Sequence, residues 1–432
     1  MGINFYTLFL PGCLALPPIR TSGRKGNGMK TLVKRAGALS TAVAATIGLV
    51  ACGSSKSTTS STTSASTAPA GTAAPAVSAT SFTSDFSVMA SLKALASQGK
   101  GKIAVLLPDT QSSARYVSFD APYLTQAFEA AGLTSADYQI QNAQNSAQTM
   151  QTQAEAAITN GATVLLIDPL DSGSGAAIEA NAVQQGVKVI DYDRITLNGK
   201  ASQYVSFDNV NVGKQIGQGL IDCVAAWNVS KPQVLEMDGD PTDNNATLFA
   251  QGYNQVLQPK FADKSFVQVA EPAGTWDNQK ALTNFQQQYT AHPNINAVVA
   301  ANDGIANSVI SALKTLNIGA KKVPTTGQDA TLQGLQNILS GYQCMTVYKP
   351  IYLEAQAAAA LALYLRAGQK PPSGLVNGTT NNKATDVPSV LLTPISVTTQ
   401  NMATTVVKDK FVKSADLCAG AFASACSAAG IS

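Results

Sequence analysis

Histidine is almost absent from this chain: His292 is the single one among 432 residues. It directly precedes Pro293, in a segment that is predicted to be a loop. No Ser-His-Asp or Cys-His arrangement is therefore available for nucleophilic catalysis. The chain also has no CxxC or Cys/His spacing, so a zinc site is not expected. We expect a protein that uses neither a metal nor a cofactor and that is not an enzyme.

Charged residues are also scarce, at 13% of the chain, and the net charge of +3 comes partly from a basic segment near the N-terminus. No basic face remains for nucleic acid, so the partners should be neutral.

Long apolar runs are rare as well. The Ala-rich run 355–365 is too short to span a membrane and reads as a buried helix.

Only six cysteines are present. Cys13 and Cys52 belong to the N-terminal region, which leaves an even number in the body. In an exported protein an even number permits disulfides, and Cys418 and Cys426 are close enough in sequence to staple residues 418–432. Cys223 and Cys344 form a second candidate pair, with buried free thiols as the alternative.

The N-terminal region has the layout of an export signal. Lys30, Lys34 and Arg35 precede the uncharged stretch 36–51, which ends in small residues. We assign residues 29–51 to the signal and 1–28 to an upstream extension, because Met29 would give a signal of ordinary length. A plain membrane anchor is the alternative, but the apolar run is shorter than the roughly 20 residues of a spanning helix.

The segment LVAC, residues 49–52, resembles the end of a bacterial lipoprotein signal. The resemblance implies a lipid on Cys52 that anchors the protein to the outer face of the cell membrane. Residues 52–80 are rich in Ser, Thr and Ala and cannot bury a core, so they read as a flexible tether. Folded sequence is expected from about Ser81.

The body alternates short apolar runs with longer amphipathic segments, which indicates an α/β fold with parallel sheets. The run 103–107 is unbroken, as expected of a strand buried on both faces. Strands are predicted at 103–107, 163–167, 187–190, 233–237, 266–270, 297–300, 322–325, 345–348 and 390–397. Helices are predicted at 123–131, 176–185, 212–227, 246–257, 278–292, 305–316, 332–339 and 350–367. Two comparable series predict two similar lobes.

Polar side chains gather where these strands end, as with Asp168, Asp193 and Arg194 in the first series and Asn302 and Asp329 in the second. Open parallel sheets bind ligands at the carboxyl ends of their strands, so two lobes would face each other across a polar cleft. The alternative is that each Asp or Asn caps the following helix.

A cleft with these side chains suits a neutral, polyhydroxylated ligand. Carboxylates and amides accept hydrogen bonds from sugar hydroxyls, while Arg and Lys donate to their oxygens. Aromatic rings can pack on sugar C–H groups. Trp276 and Tyr116 lie in polar segments where that role is open to them, although Trp276 could also be a partly exposed packing residue.

The order of several short segments gives the chain a specific resemblance. The segments are DYDR (191–194), YVSFDN (204–209), DNNA (243–246), AND (301–303), GQDA (327–330), MTVYKP (345–350) and DVPS (386–389). In this order the chain resembles the D-xylose-binding family and related type I sugar-binding proteins of ABC importers over about residues 101–417. The resemblance implies two Rossmann-like lobes with parallel sheets, joined by a hinge of three crossings near Asp208, Lys349 and Pro388.

The same resemblance implies the lobe boundaries and the site. The N-terminal lobe would comprise residues 81–208 and 349–388, and the C-terminal lobe 209–348 and 389–417. The implied sugar-binding residues are Arg115, Tyr116, Asp193, Arg194, Asn244, Asn245, Trp276, Asn302, Asp329 and Lys349. Between the two adjacent amides we favour Asn245. Tyr116 departs from the family pattern, which has Trp beside the Arg.

The function implied is that of a monomeric extracytoplasmic lipoprotein that binds a monosaccharide, D-xylose in the first place, for an ABC permease and its ATPase subunit. A surface receptor of the same fold that senses sugar is one alternative. A glycoside hydrolase that uses Asp193 and Asp329 is another, and it would need a carboxyl group with a raised pKa. A nucleotide-binding role for the glycines at 213–219 and a DNA-binding repressor are not favoured.

Overall fold

The computed structural model describes residues 76–110, 113 and 115–432, which all belong to one compact unit, residues 69–432. The predicted signal, Cys52 and nearly all of the predicted tether lie outside the described residues. The strands are β1 Lys102–Leu107, β2 Tyr138–Asn142, β3 Ala162–Ile167, β4 Lys188–Tyr192, β5 Gln203–Phe207, β6 Gln233–Met237, β7 Val267–Ala270, β8 Ala297–Ala300, β9 Thr346–Tyr348, β10 Gly378–Asn381, β11 Asp386–Leu392 and β12 Ile395–Val397.

Helices separate most of these strands. The α-helices are α1 Ser87–Ala90, α2 Lys93–Ala96, α3 Ala121–Ala130, α4 Ala147–Thr159, α5 Ser172–Gln184, α6 Asn209–Ala226, α7 Asn244–Ala262, α8 Asn278–Ala291, α9 Asp303–Thr315, α10 Leu332–Leu339, α11 Ile351–Arg366, α12 Ser414–Leu417 and α13 Ala423–Ala428. Two π-helical turns, Tyr116–Asp120 and Ala403–Val407, and a 3₁₀ turn, Gly420–Phe422, complete the described elements.

The first lobe is built on a sheet in the order β10-β11-β5-β4-β3-β1-β2, which is parallel except for the β10-β11 pair. Side chains alternate between the two faces of a strand. In β1, Val105 packs in one hydrophobic core and Leu106 in another, on the opposite face. Side chains of this unbroken apolar run therefore pack in two hydrophobic cores, one on each face of the sheet, as the sequence predicts. The α/β fold with parallel sheets is confirmed.

The second lobe has a parallel sheet in the order β7-β6-β8 and an antiparallel pair, β12-β9. The predicted strand 322–325 is wrong as a full strand. Only a single bridge joins Thr325 to Val298 there. Pro324 accepts a hydrogen bond from Val298 through its carbonyl oxygen at 2.9 Å but has no N–H to extend the ladder.

The sequence did not predict several elements of the first lobe: β2, α4, the short helices α1 and α2, and β10. All five residues of β2 are only partly buried, because the strand forms the edge of its sheet. Its sequence, YQIQN, therefore lacks the apolar run that marks the central strands. Strand β2 also follows α3 too closely to be separated from a loop by composition alone.

The chain passes between the two lobes at Asp208, at Lys349 and Pro350, and after Leu392. The third crossing is later than predicted. Residues Ser389 to Leu392 pair in register with Tyr204 to Phe207 and so stay in the first sheet. The predicted boundary at 388/389 and the single predicted strand 390–397 are both corrected by this pairing: the strand ends at Leu392, and β12 begins a new one in the second lobe.

The folded body also begins earlier than Ser81. Val77 is 5% exposed and packs in the main core of the first lobe, and Ala79 donates a backbone hydrogen bond to the Gly374 carbonyl at 3.0 Å. The predicted tether therefore ends at about residue 76. Val77 is the only large apolar residue of that segment. Because a single apolar residue forms no periodic pattern, the sequence did not indicate that Val77 packs in the core.

The glycines at 213–219 serve packing. A Cβ on Gly213 would collide with the backbone carbonyl of Phe249, and one on Gly252 would collide with the carbonyl of Val210. Helices α6 and α7 thus approach closely enough that only glycine fits at their contact. This use of small residues gives no support to a nucleotide-binding loop.

Two disulfides close the second lobe, Cys223–Cys344 and Cys418–Cys426. The first joins α6 to the segment before β9 across 121 residues of sequence, so it links the start of the lobe to its end. Among residues 76–110 and 115–432, no helix has the length and apolar character required to cross a bilayer.

Candidate functional site

A polar cavity lies between the two lobes, at the carboxyl ends of β4 and β8. The space between the atoms of its walls is about 300 Å³, part of which is open to solvent. The residues that line it are Ser113, Arg115, Tyr116, Asp193, Arg194, Asp243, Asn245, Phe249, Trp276, Asn302, Gln328, Asp329 and Lys349. Both lobes contribute to this wall, as expected where two open sheets face each other.

Arg115 is the centre of a buried ionic group, which we call the Arg115 cluster: Arg115, Asp120, Asp193 and Glu354. Its guanidinium donates to Asp120 from Nε at 2.9 Å and from Nη2 at 2.7 Å. It also donates to Asp193 and Glu354, each at 2.7 Å. The planar fork of Arg suits this use, because its donors point to several carboxylates at once. The predicted ligand-facing Arg115 is thus largely committed to holding Asp193 in place.

The charge on Asp193 is stabilised by this surrounding. Burial by itself raises the pKa of a carboxyl group, but the positive charges of Arg115 and Lys349 outweigh burial and lower the pKa of Asp193 to about 2. Lys349 Nζ lies 3.5 Å from Asp193 and 3.7 Å from Asp329. Asp193 therefore presents a carboxylate, an acceptor without a proton, at any physiological pH.

The backbone of Asp193 is held as firmly as its side chain. Its φ of 59° lies in the left-handed region, which Asp tolerates better than most residues. The carbonyl oxygen accepts hydrogen bonds from Ser206 Oγ at 2.7 Å, Tyr204 Oη at 3.0 Å and Asn245 Nδ2 at 3.0 Å. These bonds fix the turn after β4, so the carboxylate is oriented before any ligand binds.

Arg194 makes the neighbouring part of the wall. Its Nη2 donates to Tyr116 Oη at 2.9 Å and its Nη1 to the Pro169 carbonyl at 3.2 Å. The Nε atom lies 3.1 Å from Asp243 and 3.4 Å from Asp168. The tyrosine at 116 has a use that Trp could not fulfil, because an indole N–H donates and cannot accept from Arg194.

The second lobe supplies an aromatic corner. Trp276 is half-buried, donates from Nε1 to Asp243 at 3.0 Å and meets the Phe249 ring edge-on at 6.5 Å. Gly239 lies directly beneath its indole, and a Cβ there would collide with the ring. The ring is therefore locked by contacts on three sides. A rigid aromatic of this kind can pack against the apolar face of a ligand.

Asn302 and Asp329 complete the second wall. Asn302 is the N-cap of α9, where its Oδ1 accepts from the Ile305 N–H at 2.9 Å. Capping and lining the cavity are thus compatible roles for one side chain, since the amide nitrogen is free to face the cavity. Asp329, with φ of 99°, also has a left-handed backbone and is the counterpart of Asp193 on the second wall.

Direct contacts join the two lobes across this cavity. Ser113 Oγ donates to Asp329 at 2.9 Å, Asn245 Nδ2 donates to the Asp193 carbonyl at 3.0 Å, and Arg194 pairs with Asp243 at 3.1 Å. All of these contacts require the lobes to be close together. The structure therefore shows the closed arrangement of the two lobes.

Several buried polar atoms of the wall have no hydrogen-bond partner within the protein. They include Asp329 Oδ1 and Gln328 Oε1. A buried polar atom without a partner is unfavourable by about 1–3 kcal/mol. Two acceptors at one cavity match hydroxyl groups, which can donate to both. The wall is therefore chemically suited to a ligand with several hydroxyls.

The structure brings nine of the predicted site residues to this cavity: Arg115, Tyr116, Asp193, Arg194, Asn245, Trp276, Asn302, Asp329 and Lys349. Asn244 is the exception and is corrected here. It is the first residue of α7, and the next position, Asn245, faces the cavity instead. Ser113, Asp243, Phe249 and Gln328 also line the cavity and were missed. Asp243 and Gln328 stand within the motifs quoted above, so proximity to those motifs could have indicated them.

The two lobes, the three crossings and the polar cavity between them define a class of protein: a receptor that closes around a small solute. Residues 77–370 match the model of the periplasmic binding protein domain family. The chain belongs to this family, and its fold is that of the type I sugar-binding periplasmic proteins.

Individual relatives agree with this assignment. The chain is 39% identical over 281 residues to the D-xylose-binding periplasmic protein of Escherichia coli, which covers 64% of this chain and 82% of the relative. It is 30% identical over 333 residues to the multiple sugar-binding periplasmic receptor of Rhizobium radiobacter, covering 74% and 92%.

Solved structures give the same result. A carbohydrate transporter solute-binding protein from Chloroflexus aurantiacus, in complex with D-glucose, matches with a TM-score of 0.65 at 29% identity. The match covers 73% of this chain and 97% of that one. The relatives are sugar-binding proteins of transport, and their periplasmic location agrees with an extracytoplasmic location for this chain.

Proposed function

We propose that this protein is the extracytoplasmic receptor of an ABC importer and binds a monosaccharide, D-xylose in the first place, in the cavity between its lobes. The observation that carries the proposal is a polar wall that both lobes build, on which the acceptors Gln328 Oε1 and Asp329 Oδ1 have no hydrogen-bond partner among the described residues. D-xylose follows from the 39% identity to the Escherichia coli xylose-binding protein. The relative from Rhizobium radiobacter is named for several sugars, so selectivity is part of the test.

Ligand capture would follow from the closed arrangement. A sugar that contacts Asp193 in the first lobe and Asp329 in the second would stabilise the closed state, because only that state offers both sets of contacts. Hydrogen bonds to charged groups contribute about 1.5–3 kcal/mol each, so three or four of them approach the roughly 8 kcal/mol of a micromolar complex. The closed receptor would then be the form that a permease recognises.

The charge of Asp193 does not support a role for this residue as the acid of a glycoside hydrolase. An inverting or retaining glycosidase needs a carboxylic acid whose raised pKa lets it protonate the leaving group. The pKa of Asp193 is lowered instead, since Arg115 and Lys349 hold its charge. Asp193 is therefore an acceptor for sugar hydroxyls and is unsuited to act as a general acid.

The test is calorimetric titration of the chain with D-xylose, D-glucose, D-ribose and myo-inositol. Asp193→Ala should weaken binding by about 1.5–3 kcal/mol, or roughly ten- to a hundredfold. Asp193→Asn keeps the shape and removes the charge, and exposed Asp222→Ala is the matched control that should leave affinity unchanged. No heat with any sugar would contradict the proposal, and so would equal affinity in the wild type and both Asp193 variants.

We further propose that a lipid on Cys52 holds the receptor at the membrane, close to its permease. Residues 52–76 would then act as a tether that lets the body move. Cys52→Ser should release the protein into the soluble fraction of cells while sugar affinity stays unchanged. Retention of Cys52→Ser in the membrane fraction would contradict the lipid anchor and favour an uncleaved apolar segment.

A further inference from the structure

A second group of acidic side chains lies in the second lobe, which we call the Glu236 cluster: Glu236, Asp238 and Glu271. Glu236 comes from β6, Asp238 follows the end of that strand, and Glu271 follows β7. Glu236 is fully buried, yet neither of its carboxylate oxygens has a hydrogen-bond partner. A buried carboxylate in this state is highly unfavourable unless something neutralises it.

The geometry of the cluster fits one ion. One oxygen from each of the three carboxyl groups lies within 4.8 Å of the others. Ca²⁺ binds oxygens at about 2.3–2.6 Å, so two of its ligands can be at most about 5 Å apart. The three oxygens can therefore contact a common Ca²⁺ with little movement of the chain. Carboxylate oxygens are also the ligands that this hard cation prefers.

No charged group of the protein offsets the cluster. Within residues 76–110 and 115–432, no Lys or Arg forms an ion pair with any of the three carboxyl groups. Asp238 accepts a hydrogen bond from Tyr253, whereas neither carboxylate oxygen of Glu236 accepts one among the described residues.

We propose that Glu236, Asp238 and Glu271 bind a divalent cation, Ca²⁺, which supplies the positive charge that the fold omits. Glu271 is exposed and accepts from Gln268 Nε2 at 3.1 Å, so water can reach the ion from that side. The remaining coordination positions would be filled by water and by the second oxygens of the carboxylates. Outside the cytoplasm, sites of this kind bind Ca²⁺ with dissociation constants of about 10⁻⁴–10⁻³ M.

The site is connected to the wall of the ligand cavity. The Thr275 N–H donates to the Asp238 carbonyl at 3.1 Å, and Gly239 lies under the Trp276 indole. An ion bound to both Asp238 and Glu271 would tie the end of β6 to the segment 271–276 that carries this indole. We therefore expect Ca²⁺ to change the surroundings of the Trp276 indole, and any effect on sugar affinity rests on the proposed function.

The experiment is calorimetric titration of the EDTA-treated full chain with CaCl₂ in the absence of sugar. A saturable isotherm with one ion per chain is expected, and Glu271→Gln should weaken it at least tenfold. Glu271 is exposed, so this variant should fold normally. Glu155→Gln, an exposed glutamate on α4, is the matched control and should bind as the wild type does. No saturable heat at millimolar CaCl₂, or equal binding by Glu271→Gln, would overturn the site.

A fluorescence titration tests the connection to Trp276 without using sugar. Trp227 and Trp276 are the only tryptophans, so Trp227→Phe leaves Trp276 as the sole indole. Its emission should change with CaCl₂ at the midpoint found by calorimetry, and Glu271→Gln should abolish the change. Ca²⁺ binding without any change in emission would overturn the link to the cavity wall. Because neither readout contains sugar, failure here leaves the proposed sugar binding independently testable.

Discussion

The Arg115 cluster and the Glu236 cluster show two ways in which one chain treats buried carboxylates. In the first, three carboxyl groups share a guanidinium, and each receives a hydrogen bond of 2.7 Å from it. In the second, no described Lys or Arg forms an ion pair with the three carboxyl groups, and Glu236 accepts no side-chain hydrogen bond from a described residue. The first cluster belongs to a preorganised wall. The second is incomplete within the chain and is the better candidate for an external cation.

The largest expected effect comes from breaking the first cluster. Arg115→Ala leaves Asp120, Asp193 and Glu354 buried without their shared cation, and loss of one partner of a buried ion pair typically destabilises by about 3–5 kcal/mol. Urea unfolding of the chain measures this change. Exposed Lys408→Ala is the control and should stay within about 0.5 kcal/mol of the wild type. A decrease of less than about 1 kcal/mol in the free energy of unfolding of Arg115→Ala would show that the charge of Arg115 does not hold the cluster together.

A smaller effect should appear as a pH dependence. Burial raises the pKa of Glu354 from 4.5 to about 8, even though Arg115 lowers it. Between these values the folded protein binds a proton that the unfolded chain releases. Stability should therefore fall as the pH rises through this window, by at most about 1.4 kcal/mol per pH unit. The variant Glu354→Gln has no carboxyl group at this position, so its free energy of unfolding should fall less as the pH rises. The difference in free energy of unfolding between the two proteins should therefore shift in favour of the variant towards pH 8.

Urea unfolding of the wild type and Glu354→Gln at several pH values between 5 and about 8 makes this measurement. Parallel curves for the two proteins would mean that Glu354 keeps its ordinary pKa in the folded state. That outcome would mean that Glu354 is ionised in the folded state and that any proton in the Arg115 cluster is bound by another carboxyl group.

The same substitution in the second cluster should behave differently. In EDTA at about pH 9, above the pKa of about 8 to which burial raises Glu236, Glu236→Gln removes one of three adjacent negative charges and should stabilise the protein by about 1 kcal/mol. In millimolar CaCl₂ the order should reverse, because only the wild type keeps all three ligands. Thermal unfolding in the two buffers makes the comparison. The same order in both buffers would argue against a cation in this cluster.

The smallest expected effect is the coupling between the clusters. They share no hydrogen bond or ion pair among the described residues, so their contributions should be independent. The stability change of the double variant Glu354→Gln/Glu236→Gln in EDTA should equal the sum of the single changes within about 0.5 kcal/mol. A larger deviation in urea unfolding would reveal communication between the lobes.

Much of the site could be predicted because its residues follow strands. Asp193 ends β4 and Asn302 follows β8, and a parallel sheet brings such positions to one edge. Ser113 and Phe249 were not predicted. Ser113 lies in a loop, and Phe249 lies five residues into α7, where an aromatic residue in sequence is indistinguishable from core. Only the packing of α7 against the second sheet turns that ring to the cavity.

The sequence by itself determined the α/β class, the division into two lobes and most of the polar wall, because apolar periodicity and strand-end side chains are local properties. The tertiary structure alone decided the third crossing at Leu392, the role of Val77 in the core and the cation-free surroundings of Glu236. Register, burial and the balance of charge depend on which distant segments meet. In β6 the letters QVLEM look like an ordinary strand, and only the folded chain shows that its glutamate has no partner.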